Sequence, residues 1–128
     1  MEKKTVLIIE DGVVLQDSFK RLMSKKINLL QAFTCREAKE IFDKNQEKID
    51  IIAFDGNIKS EGTTLDLIKE IKTKFNGTMI AMSNDDFLRN EQMEAGCDIE
   101  LDDKANLLTA IYNLYKLNIC AVKQVLLG

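Results

Sequence analysis

A chain of 128 residues, 45% of them hydrophobic, has the length and apolar material for one domain around one core, which argues against a disordered chain. Eighteen Lys and Arg against 21 Asp and Glu give a net charge of −3, and the basic residues are scattered among acids, so no face is set aside for nucleic acid. His is absent, which excludes a histidine base, and Cys35, Cys97 and Cys120 lie far apart and odd in number, which argues against a zinc site or a disulfide framework and for small buried thiols.

Val6-Leu-Ile-Ile9 reads as a buried strand. It is too short for a signal-peptide core and ends in two acids, and no apolar stretch approaches the roughly 18–20 residues of a membrane span. A cytoplasmic protein without a membrane partner is expected. Leu15, Phe19, Leu22 and Met23 recur at helical spacing and predict a helix over 13–25. Leu29 to Phe33 is a weaker second strand. Thr34 is a helix N-cap with Glu37 as its capping-box partner, ahead of Ala38, Ile41 and Phe42. A third strand spans Ile49 to Phe54. Leu65, Ile68, Ile71 and Phe75 mark the next helix, and Asn76-Gly77 is a turn. A fourth strand, Thr78 to Met82, ends at Ser83. A short helix from about Asp86 to Ala95 is stopped by Gly96. Asp98 to Leu101 is a fifth strand. Apolar positions at Leu108, Ile111, Tyr115, Ile119, Val122 and Leu126 leave two outcomes open: one long final helix, or a helix ending near Asn118 with a tail.

Strands alternating with helices imply right-handed β-α-β units and a parallel sheet covered on both faces. Five repeats fit the α/β flavodoxin-like doubly wound fold, strand order 2-1-3-4-5. Ligands of such folds sit beyond the carboxyl ends of the strands, beside the switch point. The residues placed there are Glu10 and Asp11, Asp55, and Ser83. Three carboxylates converging in one crevice repel unless a cation joins them, and Mg²⁺ suits such an all-oxygen site. A carboxylate so placed is a nucleophile toward phosphorus, and the Ser83 hydroxyl is a donor for a phosphoryl oxygen.

With those positions in place, the sequence resembles the response-regulator receiver family of two-component signalling. The matching stretches are Val6-Leu-Ile-Ile-Glu-Asp11, Ile51-Ile-Ala-Phe-Asp55, Met79-Ile-Ala-Met-Ser83 and Ala95-Gly-Cys-Asp98. The resemblance runs from about Thr5 to Leu117 and implies a receiver domain over 1–118, with 119–128 as an extension or tail. It implies that Asp55 is the phosphoacceptor and Ser83 the switch hydroxyl. Asp11 would bind Mg²⁺ directly, Glu10 through water, and Asn57 through its backbone carbonyl. Asp85 stands where the family tunes hydrolysis of the acyl phosphate. The implied donor is a histidine kinase or phosphotransfer protein. The implied output is a surface of the fourth helix, fifth strand and last helix, presented to a downstream protein, an output domain or a second copy. No enzymatic turnover beyond Mg²⁺-dependent self-phosphorylation and self-dephosphorylation is implied.

The sequence departs from the family at four places. Counting from Gly96 puts Asp103 where the family has the Lys of a Lys-Pro pair, with Lys104 one place later and no Pro. Either Lys104 reaches the phosphoryl site through a bulge, or Asp103 faces the pocket and adds negative charge. Glu100 stands at the aromatic switch position, Lys59 replaces a Pro, and the loop after Ser83 is short. These departures favour an alternative, a receiver-like interaction module that does not switch. A more remote alternative rests on Phe54-Asp-Gly-Asn57, faintly similar to the nucleophile motif of haloacid-dehalogenase-type phosphatases. Those need a second carboxylate where Asn57 stands, and on the first strand rather than the third.

Overall fold

The computed structural model describes residues 3–115. In chain order they form β1 (Thr5–Ile9), α1 (Val13–Met23), β2 (Asn28–Ala32), α2 (Cys35–Asn45), β3 (Ile51–Phe54), β4 (Asn57–Ile58), β5 (Gly62–Thr63), α3 (Leu65–Lys72), β6 (Thr78–Ala81), α4 (Asp86–Ala95) and β7 (Ile99–Glu100). A 3-10 turn, Lys104–Asn106, leads into a final helix, α5, helical over the described residues 107–115. The expectations for Ile119, Val122, Leu126 and a 119–128 extension lie outside the described residues.

The main sheet is parallel throughout, in the order β2-β1-β3-β6-β7. Counting only its own strands, that is 2-1-3-4-5, as the alternation of elements predicts. Strand residues alternate between two cores. Leu7, Ile9, Ile52, Phe54, Met79 and Ala81 pack with Ala38 and Phe42 of α2 and with Leu67, Ile68 and Ile71 of α3. Val6, Ile8, Ile51, Ala53 and Ile80 pack on the other face with Phe19 and Met23 of α1 and with Leu107 and Ile111 of α5. Because both faces are covered, β1 and β3 read as unbroken apolar runs rather than alternating ones.

The termini of the elements follow local chemistry. Thr34 Oγ1 accepts from the Glu37 amide at 3.0 Å, while Glu37 Oε1 accepts from the Phe33 amide at 3.1 Å. The box therefore closes one residue earlier than its usual form. Asp85 caps α4 by accepting from the Leu88 amide at 3.1 Å. Gly96 ends α4 at φ +138°, which a β-carbon would resist. Several boundaries differ from the sequence expectation: β2 is shifted one residue earlier, α3 ends before Phe75, β6 ends at Ala81 and β7 is only Ile99–Glu100. α1 stops at Met23 rather than 25, and β3 begins at Ile51, because the Ile49 amide bonds Asn45 O at the end of α2. The β4–β5 ladder (Asn57 opposite Thr63, Ile58 opposite Gly62) was not foreseen, since two-residue strands carry no period to read.

Register is what matters for the site. Ile9 pairs with Ala32 and Phe54, and Phe54 with Ala81. The ladder continues one step further: the Glu10 amide bonds Ala32 O, the Asp55 amide bonds Ile9 O, and the Met82 amide bonds Phe54 O. β1, β3 and β6 thus run out at one level, and Glu10, Asp55 and Ser83 emerge on one rim.

Candidate functional site

Oxygens of Glu10, Asp11 and Asp55 lie within 4.8 Å of one another at that rim. Glu10 and Asp55 are buried and Asp11 is half-buried. Lys104 reaches into the cluster: its Nζ is 2.6 Å from Glu10 Oε1 and 2.8 Å from Asp55 Oδ1. Of the two side chains left in question by the missing Lys-Pro pair, it is Lys104 and not Asp103 that faces the acid cluster. The extra residue is taken up by the 3-10 turn, with Asp103 in extended backbone and its carboxylate turned back to cap Ala105 N at 2.9 Å. Asp103 adds no charge to the pocket, and among the described residues no peptide bond is cis.

Each acid is held by backbone donors. Glu10 Oε2 accepts from the Gly12 amide at 2.8 Å, and Asp11 Oδ2 from the Lys59 amide at 2.9 Å. Asp55 Oδ1 accepts from the Gly56 amide at 2.8 Å as well as from Lys104. Asp55 Oδ2 receives no hydrogen bond from the described residues, and no described buried side-chain polar atom lacks a partner, so this oxygen faces the open side. Burial pushes the Glu10 carboxyl above its ordinary value, against the opposing pull of Lys104 and the Gly12 amide. The Lys59 amide holds Asp11 below its ordinary value. Burial pushes Lys104 down, but its hydrogen bonds to Asp55 and Glu10 outweigh that and raise it, so the ammonium stays charged. Three hard oxygen donors in one pocket, one of them half-buried, fit a small divalent cation in an incomplete shell.

Ser83 is buried against Gly56, the residue after Asp55. A β-carbon built on Gly56 would fall 2.3 Å from Ser83 Oγ, so the chain passes the hydroxyl with no room for a side chain. Ser83 Oγ accepts from the Asp85 amide at 3.2 Å and donates to none of the described residues, leaving its proton for a ligand. Asn57 lies in β4 on the loop beyond Asp55, and Asp85 is engaged as the cap of α4. That loop is tied down at two points: by the Lys59 amide on Asp11, and by Glu61, whose carboxylate accepts from the Cys35 and Arg36 amides at the start of α2.

Two glutamines support the rim and escaped the sequence reading. Gln16 Nε2 donates to Ile8 O, Glu10 O and Ala32 O at 3.1–3.2 Å. Gln92 Nε2 donates to Phe54 O, Asp55 O and Thr64 Oγ1 at 3.0–3.1 Å, while its Oε1 accepts from the Ser83 amide at 3.2 Å. Both meet backbone groups where the sheet ladder ends, a need that a buried strand end always creates. The signal was present: Gln16 stands three residues before Phe19, and Gln92 four after Leu88, each a polar residue at apolar spacing.

No protein-family model and no curated protein sequence matches the chain. Its likenesses are to solved structures. A two-component response regulator from Clostridium difficile matches at TM-score 0.75 and 24% identity, over 88% of this chain and 93% of that one. A response regulator protein from Burkholderia pseudomallei, with a phosphorylated aspartic acid, calcium ion and citrate, matches at 0.72 and 20%, over 85% of this chain and 65% of that one. The co-crystal structure of the Saccharomyces cerevisiae histidine phosphotransfer signalling protein Ypd1 and the receiver domain of its downstream response regulator Ssk1 matches at 0.71 and 22%, over 85% and 84%. The fold is that of a receiver domain.

Proposed function

We propose that this chain is a phosphorelay receiver: Asp55 takes a phosphoryl group from a histidine kinase or phosphotransfer protein, with Mg²⁺ at Glu10, Asp11, Asp55 and the Asn57 carbonyl. One observation carries the reading. Asp55 presents an unengaged Oδ2 to the open side of a pocket whose other groups are an ammonium, a hydroxyl proton and an acid cluster. Oδ2 attacks phosphorus while the bond from phosphorus to the donor nitrogen breaks, and its electron pair leaves with that nitrogen. Lys104 and the Ser83 hydroxyl then donate to phosphoryl oxygens, and the Gly56 amide keeps the carboxylate oriented. Bound Mg²⁺ supplies charge neutralisation at the same oxygens.

The neighbours support this reading: one carries a phosphorylated aspartate, another stands with a phosphotransfer protein. The position of Lys104 beside Asp55 speaks against one motive for a non-switching module, the displaced Lys; the absent aromatic at Glu100 remains another. The acceptor is a signalling protein, without turnover beyond its own phosphorylation and dephosphorylation. It works in the cytoplasm, where such donors act, and its output face comprises α4, β7 and α5, read by a downstream protein, an output domain or a second copy. Among the described residues no helix is long and apolar enough to cross a membrane.

Incubation with acetyl phosphate and Mg²⁺ is expected to add one phosphoryl mass to the wild-type chain and none to Asp55→Asn. No mass gain in either, with no spectral response to beryllofluoride, leaves the interaction-only module standing; its partner binding would be indifferent to Asp55→Asn.

A further inference from the structure

Ser83 is gripped through both sides of its backbone by one face of α4. Gln92 takes its amide, and Arg89, three residues earlier on the same face, takes its carbonyl, with Nη1 at 3.0 Å. The two grips differ in what stands behind them. Gln92 is fully buried and also bonded to Phe54 O, Asp55 O and Thr64 Oγ1, so it is anchored to the end of β3. Arg89 is buried too, but its other donors lead outward: Nε to Glu100 on β7 at 3.3 Å, and Nη2 to Asp86 at 2.7 Å. Glu100 is more than half exposed.

We propose that Arg89 is a transmitting residue: it converts a shift of the Ser83 carbonyl into making or breaking the Arg89–Glu100 contact at the β7 edge. This inference rests on Asp55 being phosphorylated. Its physical basis is the rigidity of the guanidinium. Nη1 and Nε sit on one planar fork with fixed directions, so the fork cannot follow Ser83 and keep both partners aligned. When the Ser83 hydroxyl closes on a phosphoryl oxygen, the Gln92 anchor holds its amide side. The carbonyl side therefore takes the movement. The bond that yields is the one to Glu100. It is the longest of the three, and its carboxylate is free to take water, whereas the buried Ser83 carbonyl has no substitute donor among its described partners. Phosphorylation would thus free a carboxylate on the edge of the α4–β7 face and alter the charge pattern a partner meets there.

The test is the side-chain Nε–H resonance of Arg89 in the full chain, recorded with Mg²⁺ before and after beryllofluoride. Wild type is expected to lose the Glu100-bonded shift and its protection from solvent exchange as the Asp55 and Ser83 amides move. Glu100→Gln, which weakens the resting contact without emptying the site, is expected to bind beryllofluoride roughly two- to fivefold more tightly. Asp86→Asn, which removes an equal charge from the other arm of the same fork, is expected to leave that affinity within error. If the Asp55 and Ser83 amides respond and Arg89 Nε–H does not, the relay is wrong and the receiver reading stands. Equal effects of Glu100→Gln and Asp86→Asn also overturn it, as general electrostatics would then suffice. If no amide responds, the receiver reading falls and the relay with it.

Discussion

With Lys104 removed, Glu10 and Asp55 would share a rim with no cation between them. Lys104→Met is expected to lower stability by about 2 kcal/mol in Mg²⁺-free buffer, less than the ~3–5 kcal/mol of a fully buried pair because one side of the pocket meets water. Millimolar Mg²⁺ should restore most of that loss, since it supplies the missing charge. Urea titrations with and without Mg²⁺ decide it, and an identical deficit in both buffers contradicts the account. Gly56 makes a second case at this scale. Gly56→Ala would set a methyl 2.3 Å from Ser83 Oγ and 2.7 Å from Leu88 Cδ2, so something must move. The expected cost is about 1–3 kcal/mol, with slower phosphorylation by acetyl phosphate because the hydroxyl is pushed aside. A variant with wild-type stability and rate would show that Ser83 and Leu88 give way freely.

Between elements, the hydrogen bonds from α4 to the end of β3 come, among the described residues, from a single side chain, Gln92. Phe54 O also accepts from the Met82 amide, and Asp55 O from Thr64 Oγ1, so losing Gln92 orphans only the Ser83 amide. Gln92→Leu should therefore cost about 2 kcal/mol, the penalty of one buried unpaired donor, rather than a sum over four bonds. Faster hydrogen exchange at the Ser83 amide would accompany it; unchanged exchange there would mean another acceptor moves in. This element-level detail was the least legible part of the sequence. The rim acids were readable because each follows a short apolar run, and the alternation of strands and helices fixes which runs are neighbours. The side on which Lys104 falls was not, because spacing alone set Asp103 in its place and only a 3-10 turn reverses the order. Gln16, Arg89 and Gln92 were missed for a related reason: a polar residue in a helix ordinarily marks the solvated face, and these three instead meet backbone groups at the ends of the strands.

Across the whole molecule, Cys97 is buried as expected while Cys35 is only half-buried, and neither lies in the acid cluster. Burial, aided by Glu61, pushes the Cys35 thiol up to about 11, and burial with Asp98 nearby pushes Cys97 up to about 12. The thiolate is the reactive form, so a raised value means fewer thiolates at neutral pH. Native protein treated with iodoacetamide should leave both unmodified at neutral pH, label in urea, and gain reactivity roughly tenfold per pH unit toward those values. Peptide mapping reads each site separately, and fast neutral labelling of Cys97 in the native state would show that its interior opens. The loop between β3 and α3 belongs to this scale as well, since Asp11 in the turn after β1 and the start of α2 both hold it. Its shape is set when the chain folds, by contacts that involve no ligand. On the proposed function, a phosphodonor arriving at the rim would meet a preformed mould: little chain entropy would remain to be lost on contact, and fit and charge rather than the closing of a flap would govern its recognition.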